Sequence, residues 1–177
     1  MGQKREKQEG ELKKYIIVID YARFDNIKLY GAGAIEEKDI NLLLPLKEKF
    51  PYVGKLRSQQ KKQLVSDFPH KIRRVEKYLD LVASTDMQKV FDSIEVYVKN
   101  SVEVVVDPVA YGGFAARFPS VVAEKEDKNR IRRAGRHAME TLLNITDVFI
   151  RWVRNTAGRE NYVFARLHHG RRRIKVK

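Results

Sequence analysis

Two short runs of apolar, β-branched residues, each followed at once by an aspartate, constrain the fold more than any other feature of this sequence. The first run is IIVI at residues 16–19, followed by Asp20, and the second is VVV at residues 104–106, followed by Asp107. Neither run alternates with polar residues, which is typical of strands covered on both faces inside a sheet. We therefore predict two central strands, each ending in a carboxylate at the rim of the core.

Each of these aspartates has a structural and a functional explanation. An aspartate can simply cap a turn, and Pro108 directly after Asp107 fits that explanation. A carboxylate near a region of low dielectric is costly, however, unless a cation, a metal ion or hydrogen bonds compensate its charge. The same ending on two apolar strands favours a shared site over two independent turns.

The first part of the chain predicts a hairpin followed by helices. Residues 15–20 and 27–35 fit two strands joined by the turn FDN. Gly31 and Gly33 lack the further spaced glycine of a dinucleotide site, so we interpret them as positions of close strand packing. Apolar residues spaced by three and four predict a helical region at 58–82, kinked near Pro69.

The second part combines helical spacing with strand-like runs. The helical spacing continues over residues 87–98, although 94–98 (IEVYV) fits a strand equally well. The glycine- and aromatic-bearing stretch 108–120 predicts a loop, residues 127–154 predict one long helix, and 160–167 a last strand.

Composition limits the class of protein. The chain has 36 Lys and Arg against 23 Asp and Glu, a net charge of +13, and the excess is concentrated after residue 150. Such clustering favours a polyanionic partner, namely nucleic acid. We expect no membrane partner, because no apolar stretch approaches roughly 20 residues and the basic end has no broad apolar face.

The same composition predicts the compartment and the domain organisation. The lack of cysteine and of an apolar leader predicts a cytoplasmic protein, and the many charged residues beside abundant Ile and Val are typical of proteins from hot environments. With 177 residues, 43% of them hydrophobic, we expect one core. The predicted units are a flexible charged arm (1–13), a single domain (14–170) and a basic tail (171–177).

Several motifs together resemble the ribonuclease H-like fold. METLLNITDVFIRWVRN resembles the closing helix of a large group of prokaryotic proteins with this fold, and YIIVIDYARF and LYGAGAIEE resemble their first two strands. The chain departs from that group at Tyr21-Ala22, where Glu-Ser is usual, and at Lys55, where many members have an acid. It is also similar to the single-strand-specific exonucleases of hyperthermophilic archaea. The resemblance implies an α/β fold with a mixed sheet flanked by helices, and a homo-oligomer such as a trimer.

The resemblance further implies a catalytic centre that binds Mg²⁺ or Mn²⁺. Asp20 would bridge two ions, with Asp107 on one of them and Asp147 on the other. Two such ions about 3.5–4 Å apart activate a water and relieve charge on the leaving oxygen of a phosphodiester. A helical ion pair with Arg151 is the structural alternative for Asp147. Candidates for a fourth ligand are Asp80, Glu140 and Asp127. Asp80 is preferred because it has apolar neighbours, and a surface aspartate is its structural alternative.

Aromatic and basic residues near these acids are candidates for nucleic-acid binding. Aromatic rings can stack on the bases of a single strand at roughly 1–3 kcal/mol per base, whatever their sequence. Anchoring of a loop on the core is the alternative for the aromatic residues, and a solvated tail is the alternative for the last basic ones. The predicted set is Tyr21, Phe24, Tyr111, Phe114, Arg117, Arg151, His168, Arg171, Arg172 and Arg173.

These observations predict a divalent-metal-dependent nuclease, of which a 3′–5′ exonuclease on single-stranded DNA is the favoured form. A structure-selective endonuclease or a ribonuclease of the same fold is the first alternative. A basic nucleic-acid-binding protein without catalysis is the second, since it needs none of the acids. The sequence has no Walker loop, no H-E-x-x-H motif and no cysteine nucleophile.

Overall fold

The two acid-ended runs lie side by side as parallel strands within one seven-stranded mixed sheet. The structure, a computed structural model, describes residues 12–158 and 160–176. The strands are β1 (Tyr15–Phe24), β2 (Ile27–Glu36), β3 (Leu79–Ser84), β4 (Ser101–Val106), β5 (Glu124–Lys125), β6 (Val163–His168) and β7 (Arg171–Val176). Their order is β5-β4-β1-β2-β3-β6-β7, with β1, β4 and β5 mutually parallel and the other neighbours antiparallel.

Helices cover both faces of the sheet, which is why the central runs do not alternate. The α-helices are α1 (Ser58–Ser66), α2 (Phe68–Lys71), α3 (Met87–Val98), α4 (Pro108–Arg117), α5 (Lys128–Arg133) and α6 (His137–Ala157). Short 3₁₀ helices are formed by Glu37–Leu46, Val53–Lys55 and Glu76–Tyr78. Along β1, Ile16 and Val18 pack on the side of α6, whereas Ile17 and Ile19 pack on the side of α3. We call these the α6 face and the α3 face.

Helix α6 is the centre of the larger layer. It packs across β1, β2 and β3, and the segment 37–78 between β2 and β3 covers its other side with the buried residues Phe50, Leu64 and Phe68. This double cover explains why apolar residues occur on several faces of α6. None of the helices in the described part of the chain combines the length and the apolar character needed to cross a bilayer.

Gly31 and Gly33 let α6 lie close to the sheet. A methyl group at Gly31 would meet Ile150, and one at Gly33 would meet the hydroxyl of Thr146. Both glycines therefore serve close packing, as predicted, but the partner is a helix rather than a neighbouring strand alone.

Three predicted elements are wrong, each because tertiary pairing or a terminal residue outweighs the local pattern. Residues 79–82 are not helical: they belong to β3, which is buried along its whole length between β2 and β6. The stretch after Asp107 is not a loop but α4, which begins with an aspartate cap and Pro108 despite its two glycines. The long helix is broken into α5 and α6, where Gly135 has φ of +70°.

The ends of the chain also differ from the prediction. Residues 171–176 do not form a free tail but the edge strand β7, because His169 and Gly170 both have positive φ and close a two-residue hairpin. The open alternative at residues 94–98 is settled as helix within α3. The predicted flexible arm lies outside the described residues, except for its last two residues, Leu12 and Lys13.

Gly33→Ala is expected to destabilise the protein by roughly 1–3 kcal/mol, since the added methyl group overlaps Thr146 and pushes α6 off the sheet. Gly112→Ala is the matched control. Gly112 is an exposed position of α4, and its added carbon meets nothing within 4 Å among the described residues. Alanine there favours a helix by about 1 kcal/mol. Urea unfolding measures both, and a Gly33→Ala protein as stable as wild type would contradict the close contact.

Candidate metal centre

Three carboxylates meet where the parallel pairing of β1, β4 and β5 stops. Asp107 and Glu126 directly follow β4 and β5, whereas β1 does not end at Asp20 as predicted but continues to Phe24, because it still pairs with β2. The backbone N–H of Asp107 donates to the carbonyl of Ile19 over 2.8 Å, and that of Glu126 donates to the carbonyl of Val106 over 2.8 Å, so each acid directly continues the strand ladder. One ligand oxygen from each of Asp20, Asp107 and Glu126 lies within 4.8 Å of the other two. Parallel pairing thus brings together acids that are far apart in sequence.

Asp107 fulfils both of the roles that its sequence allowed. Its Oδ1 accepts a hydrogen bond of 2.8 Å from the Val109 N–H and caps α4. Its carboxylate still belongs to the acid cluster. The cap fixes the direction in which the Asp107 side chain points, and it thereby positions the carboxylate in the acid cluster.

Helix α6 brings a fourth carboxylate to the same place. Asp147 is 5% exposed, and its Oδ1 accepts from Arg151 Nε over 3.3 Å, the helical ion pair that was its structural alternative. Its charge helps to raise the pKa values of Asp20, Asp107 and Glu126. It therefore lies within electrostatic range of all three.

Burial and mutual repulsion disfavour the ionised forms of these acids. Burial, followed by the charges of Glu126 and Asp147, raises the pKa of Asp20 well above its ordinary value. Burial also raises the pKa of Asp107 and, with the charges of Asp107 and Asp147, raises the pKa of Glu126 to about 7. Such a site favours any cation that can approach it.

Lys128 is a cation built into the cluster. Its Nζ lies 3.6 Å from Glu126 Oε1 and 4.7 Å from the centre of the Tyr52 ring. It lowers the pKa values of Asp20, Asp107 and Glu126. Burial lowers the pKa of Lys128, but the charges of Asp20, Asp147 and Glu126 outweigh burial and raise it. One ammonium group and Arg151 compensate only part of the charge of four carboxylates.

Two buried oxygens of the cluster have no hydrogen-bond partner among the described residues. They are Asp20 Oδ2 and Glu126 Oε2; Asp20 is 3% exposed, and its Oδ1 accepts only from the adjacent Tyr21 N–H. Buried polar atoms without a partner are costly. Carboxylate oxygens are also the hard ligands that Mg²⁺ and Mn²⁺ prefer, so the residues fit a divalent ion.

Asp80, the preferred fourth ligand, is not part of this centre. Its side chain lies on the α3 face, where Arg166 Nη2 donates to it over 2.6 Å and Tyr97 Oη over 2.5 Å. Burial and the hydrogen bond to Asp80 raise the pKa of Tyr97. Asp80 is therefore not at the surface but buried, and arginine compensates its charge.

The other two candidates for a fourth ligand have separate structural roles. Glu140 accepts from Arg132 Nε over 3.4 Å, which links α6 to α5. Asp127 caps α5 by accepting from the Arg130 N–H over 3.1 Å. Neither carboxylate belongs to the group formed by Asp20, Asp107 and Glu126.

The predicted binding residues near the end of β1 are partly accessible. Tyr21 is half-buried, with its ring centre 5.3 Å from that of Tyr30. Phe24 is also half-buried, and the Arg151 guanidinium lies 5.8 Å from its ring centre. Because Arg151 also bonds Asp147, this group adjoins the acid cluster.

The predicted binding residues of α4 are mostly occupied by structural contacts. Phe114 is fully buried beside Phe91 and Phe118, so it cannot stack on a base, and the prediction for it is wrong. Arg117 bonds Asp92 over 2.7 Å. Tyr111 donates to the Ala123 carbonyl over 3.3 Å, so the two outer side chains of α4 also anchor neighbouring elements.

The remaining binding candidates lie on β6 and β7, at the edge of the sheet opposite to β5. His168 on β6 is 3.9 Å from Asp80, and burial lowers its pKa. Arg171, Arg172 and Arg173 on β7 are exposed, but Arg172 donates to the Pro69 carbonyl over 3.4 Å. None of these four belongs to the group of residues around Asp20.

Glu126 and Lys128 are the members of the site that sequence reasoning missed. They follow β5, a strand of only two residues, Glu124–Lys125, so the long apolar run that marked Asp20 and Asp107 is absent here. The apolar triplet at 121–123 lies before β5 rather than in it, so no sequence pattern marked this strand.

Comparison of the chain with protein-family models finds no match, and none of the curated proteins matches it either.

The metal-free protein is expected to lose stability as pH rises from about 4 to 8. The folded pKa values of Asp20, Asp107 and Glu126 lie above their unfolded values, so the folded state binds more protons in this window and deprotonation favours unfolding. Glu126→Gln should raise the melting temperature at pH 8 by several degrees and flatten its pH dependence.

Calorimetry in a chelating buffer, at pH 5 to 8, measures this effect. Glu48→Gln is the control, because Glu48 is exposed and lies outside the acid cluster. Adding Mg²⁺ or Mn²⁺ should stabilise wild type at pH 8 more than Glu126→Gln, since a ligand of the folded state raises its stability. Parallel pH profiles for wild type and Glu126→Gln would rule out a strained acid cluster.

Proposed function

We propose that this protein is a divalent-metal-dependent nuclease with a ribonuclease H-like fold. The observation that carries the proposal is the acid cluster, in which Asp20, Asp107 and Glu126 converge and two buried oxygens lack partners among the described residues. Acids that merely capped turns would not need to meet. Their convergence, beside Asp147 on α6, supports a centre built for cations.

The placement of the acids supports the ribonuclease H-like fold. The resemblance implies carboxylates on central strands and on a late helix. Asp20 lies within the central strand β1, just after its last parallel pair with β4, Asp107 directly follows β4, and Asp147 lies on α6. The extra pair β6 and β7 lengthens the opposite side of the sheet and leaves this arrangement untouched.

In the proposed reaction, the carboxylates of the acid cluster would hold Mg²⁺ or Mn²⁺. When bound, these ions supply an activated water and relief of charge on the leaving oxygen. Asp20 Oδ2 and Glu126 Oε2, which have no hydrogen-bond partner among the described residues, would be available to hold such an ion. The α4 cap keeps Asp107 aimed at the same point.

Two cations of the chain would assist with the phosphate. Lys128 places an ammonium group beside Glu126, where it attracts a phosphate and offsets negative charge that develops during cleavage. Arg151 holds Asp147 and covers the Phe24 ring. These contacts orient the site before any substrate arrives.

The substrate that we propose is single-stranded DNA, shortened from its 3′ end. Phe24 shares the α6 face of β1 with Asp20 and is half-buried beside Arg151, so it presents part of a ring next to the cluster. Tyr21 is also half-buried, but its ring lies with Tyr30 on the α3 face. Stacking on such rings tolerates any base, which suits a nuclease without sequence preference. The exonuclease direction rests on the resemblance to archaeal single-strand-specific exonucleases.

Asp20→Asn is expected to reduce hydrolysis by at least a hundredfold while leaving affinity for nucleic acid equal or higher, because it removes a metal ligand and a charge that repels phosphate. Asp127→Asn is the matched control: its exposed side chain caps α5, which asparagine also does, and it lies outside the cluster.

The assay follows end-labelled single-stranded and duplex DNA and RNA with Mg²⁺, Mn²⁺ or chelator. Stepwise shortening of single-stranded DNA from its 3′ end supports the proposal. Internal cuts would instead favour an endonuclease of the same fold, and cleavage of RNA would favour a ribonuclease. Hydrolysis that persists in chelator and in Asp20→Asn would exclude the metal mechanism. Binding without hydrolysis of any substrate would favour a protein that only binds nucleic acid.

A further inference from the structure

The segment 37–78 is much longer than its connection requires. β2 ends at Glu36 and β3 begins at Leu79 as its antiparallel neighbour. Antiparallel neighbours can be joined by two residues, whereas this connection uses the 42 residues from 37 to 78. The apolar residues of the segment pack on α6. Its polar residues are not needed for this packing.

That polar side is strongly basic. Between residues 47 and 74 the chain has nine Lys and Arg against two acids, Glu48 and Asp67. None of the nine is within ion-pair distance of a carboxylate in residues 12–158 and 160–176. By contrast, Arg117, Arg136 and Arg166 each pair with acids. The charge of the segment is therefore not used to hold the fold together.

Part of this charge forms a cleft. A depression of about 360 Å³ is lined entirely by the basic or imidazole residues Lys49, His70, Lys71, Arg73 and Arg74. The four Lys and Arg side chains around this depression repel one another, and an anion between them would relieve that repulsion. The hard, multiply charged anion of a phosphodiester backbone fits this lining.

The same segment reaches the acid cluster. Next to Lys49, the Phe50 carbonyl accepts from Asn144 Nδ2 over 3.0 Å, about one helical turn before Asp147. Two residues further on, the Tyr52 ring covers Lys128. The basic cleft and the acid cluster are thus joined by a short stretch of chain fixed to α6.

We propose that the basic face of residues 47–74 is the nucleic-acid-binding surface of this protein, with the cleft of Lys49, Lys71, Arg73 and Arg74 holding backbone phosphates of the strand that enters the acid cluster. The inference rests on the proposed nuclease function and names where its substrate lies. It gives Arg171, Arg173 and Lys175 of β7 a minor share. They alternate with Arg172, which bonds the Pro69 carbonyl, and with Ile174, which packs on the α6 face, so they lie on the other face of the sheet from this segment.

The test compares two sets of three substitutions in exposed or half-exposed basic residues. Lys71→Ala/Arg73→Ala/Arg74→Ala removes the cleft, and Arg171→Ala/Arg173→Ala/Lys175→Ala removes the same charge from β7. Fluorescence anisotropy of a labelled 20-nucleotide single-stranded DNA is recorded across a salt series in chelator, so that nothing is cleaved.

The cleft variant should bind at least tenfold more weakly at 100 mM salt. The slope of log K against log salt should become about 2 less steep, because each phosphate contact that is lost reduces counterion release from a single strand by about 0.7. The β7 variant should change affinity less than threefold. Unchanged binding by the cleft variant, or an equal loss in the β7 variant, would overturn the proposal. Circular dichroism and melting temperature confirm that both variants fold.

A small substrate separates this proposal from the proposed function. Bis(p-nitrophenyl) phosphate needs the acid cluster and a metal ion but is too short to reach the cleft. The cleft variant should hydrolyse it with Mn²⁺ at a rate within twofold of wild type. If wild type binds DNA through the cleft but hydrolyses neither DNA nor this diester, the nuclease function fails and the binding surface stands. If the cleft variant loses diester hydrolysis as well, the cleft acts by supporting the acid cluster and the proposed surface fails.

Discussion

The close contact between α6 and the two glycines of β2 is the constraint on which the rest of the structure depends. Thr146 over Gly33 and Ile150 over Gly31 fix both the height and the rotation of the helix. Asp147 lies between these two positions in sequence, so the same contact fixes its distance from Asp20. Close-packed interiors transmit small displacements. A change of one methyl group under α6 would therefore be felt at the acid cluster.

The cluster itself is maintained against electrostatic repulsion. Parallel strand pairing holds Asp20, Asp107 and Glu126 together, although burial raises the pKa of each. The chain tolerates this cost because Lys128 and the cap on α4 compensate part of it. Strain of this kind is common where a fold is prepared for a ligand rather than for maximal stability.

Sequence alone predicted the central strands, the mixed α/β class and the two aspartates that converge, because long apolar runs report burial directly. It failed where a residue's partner is distant in sequence. Asp80 has the same apolar surroundings as Asp20, and only the structure reveals that Arg166, 86 positions later, neutralises it. Glu126 follows a strand too short to leave a pattern. Helix α4 was missed because its two glycines outweighed the aspartate cap and Pro108.

The edge strand β7 has a consequence for how this protein behaves at high concentration. Its outer edge pairs with no other strand in the described part of the chain, and an open edge is a template for the growth of a continuous sheet between molecules. Arg171, Arg173 and Lys175 alternate along one side of it. Two such edges approaching each other would bring like charges together, so this strand protects the protein against aggregation through its own sheet.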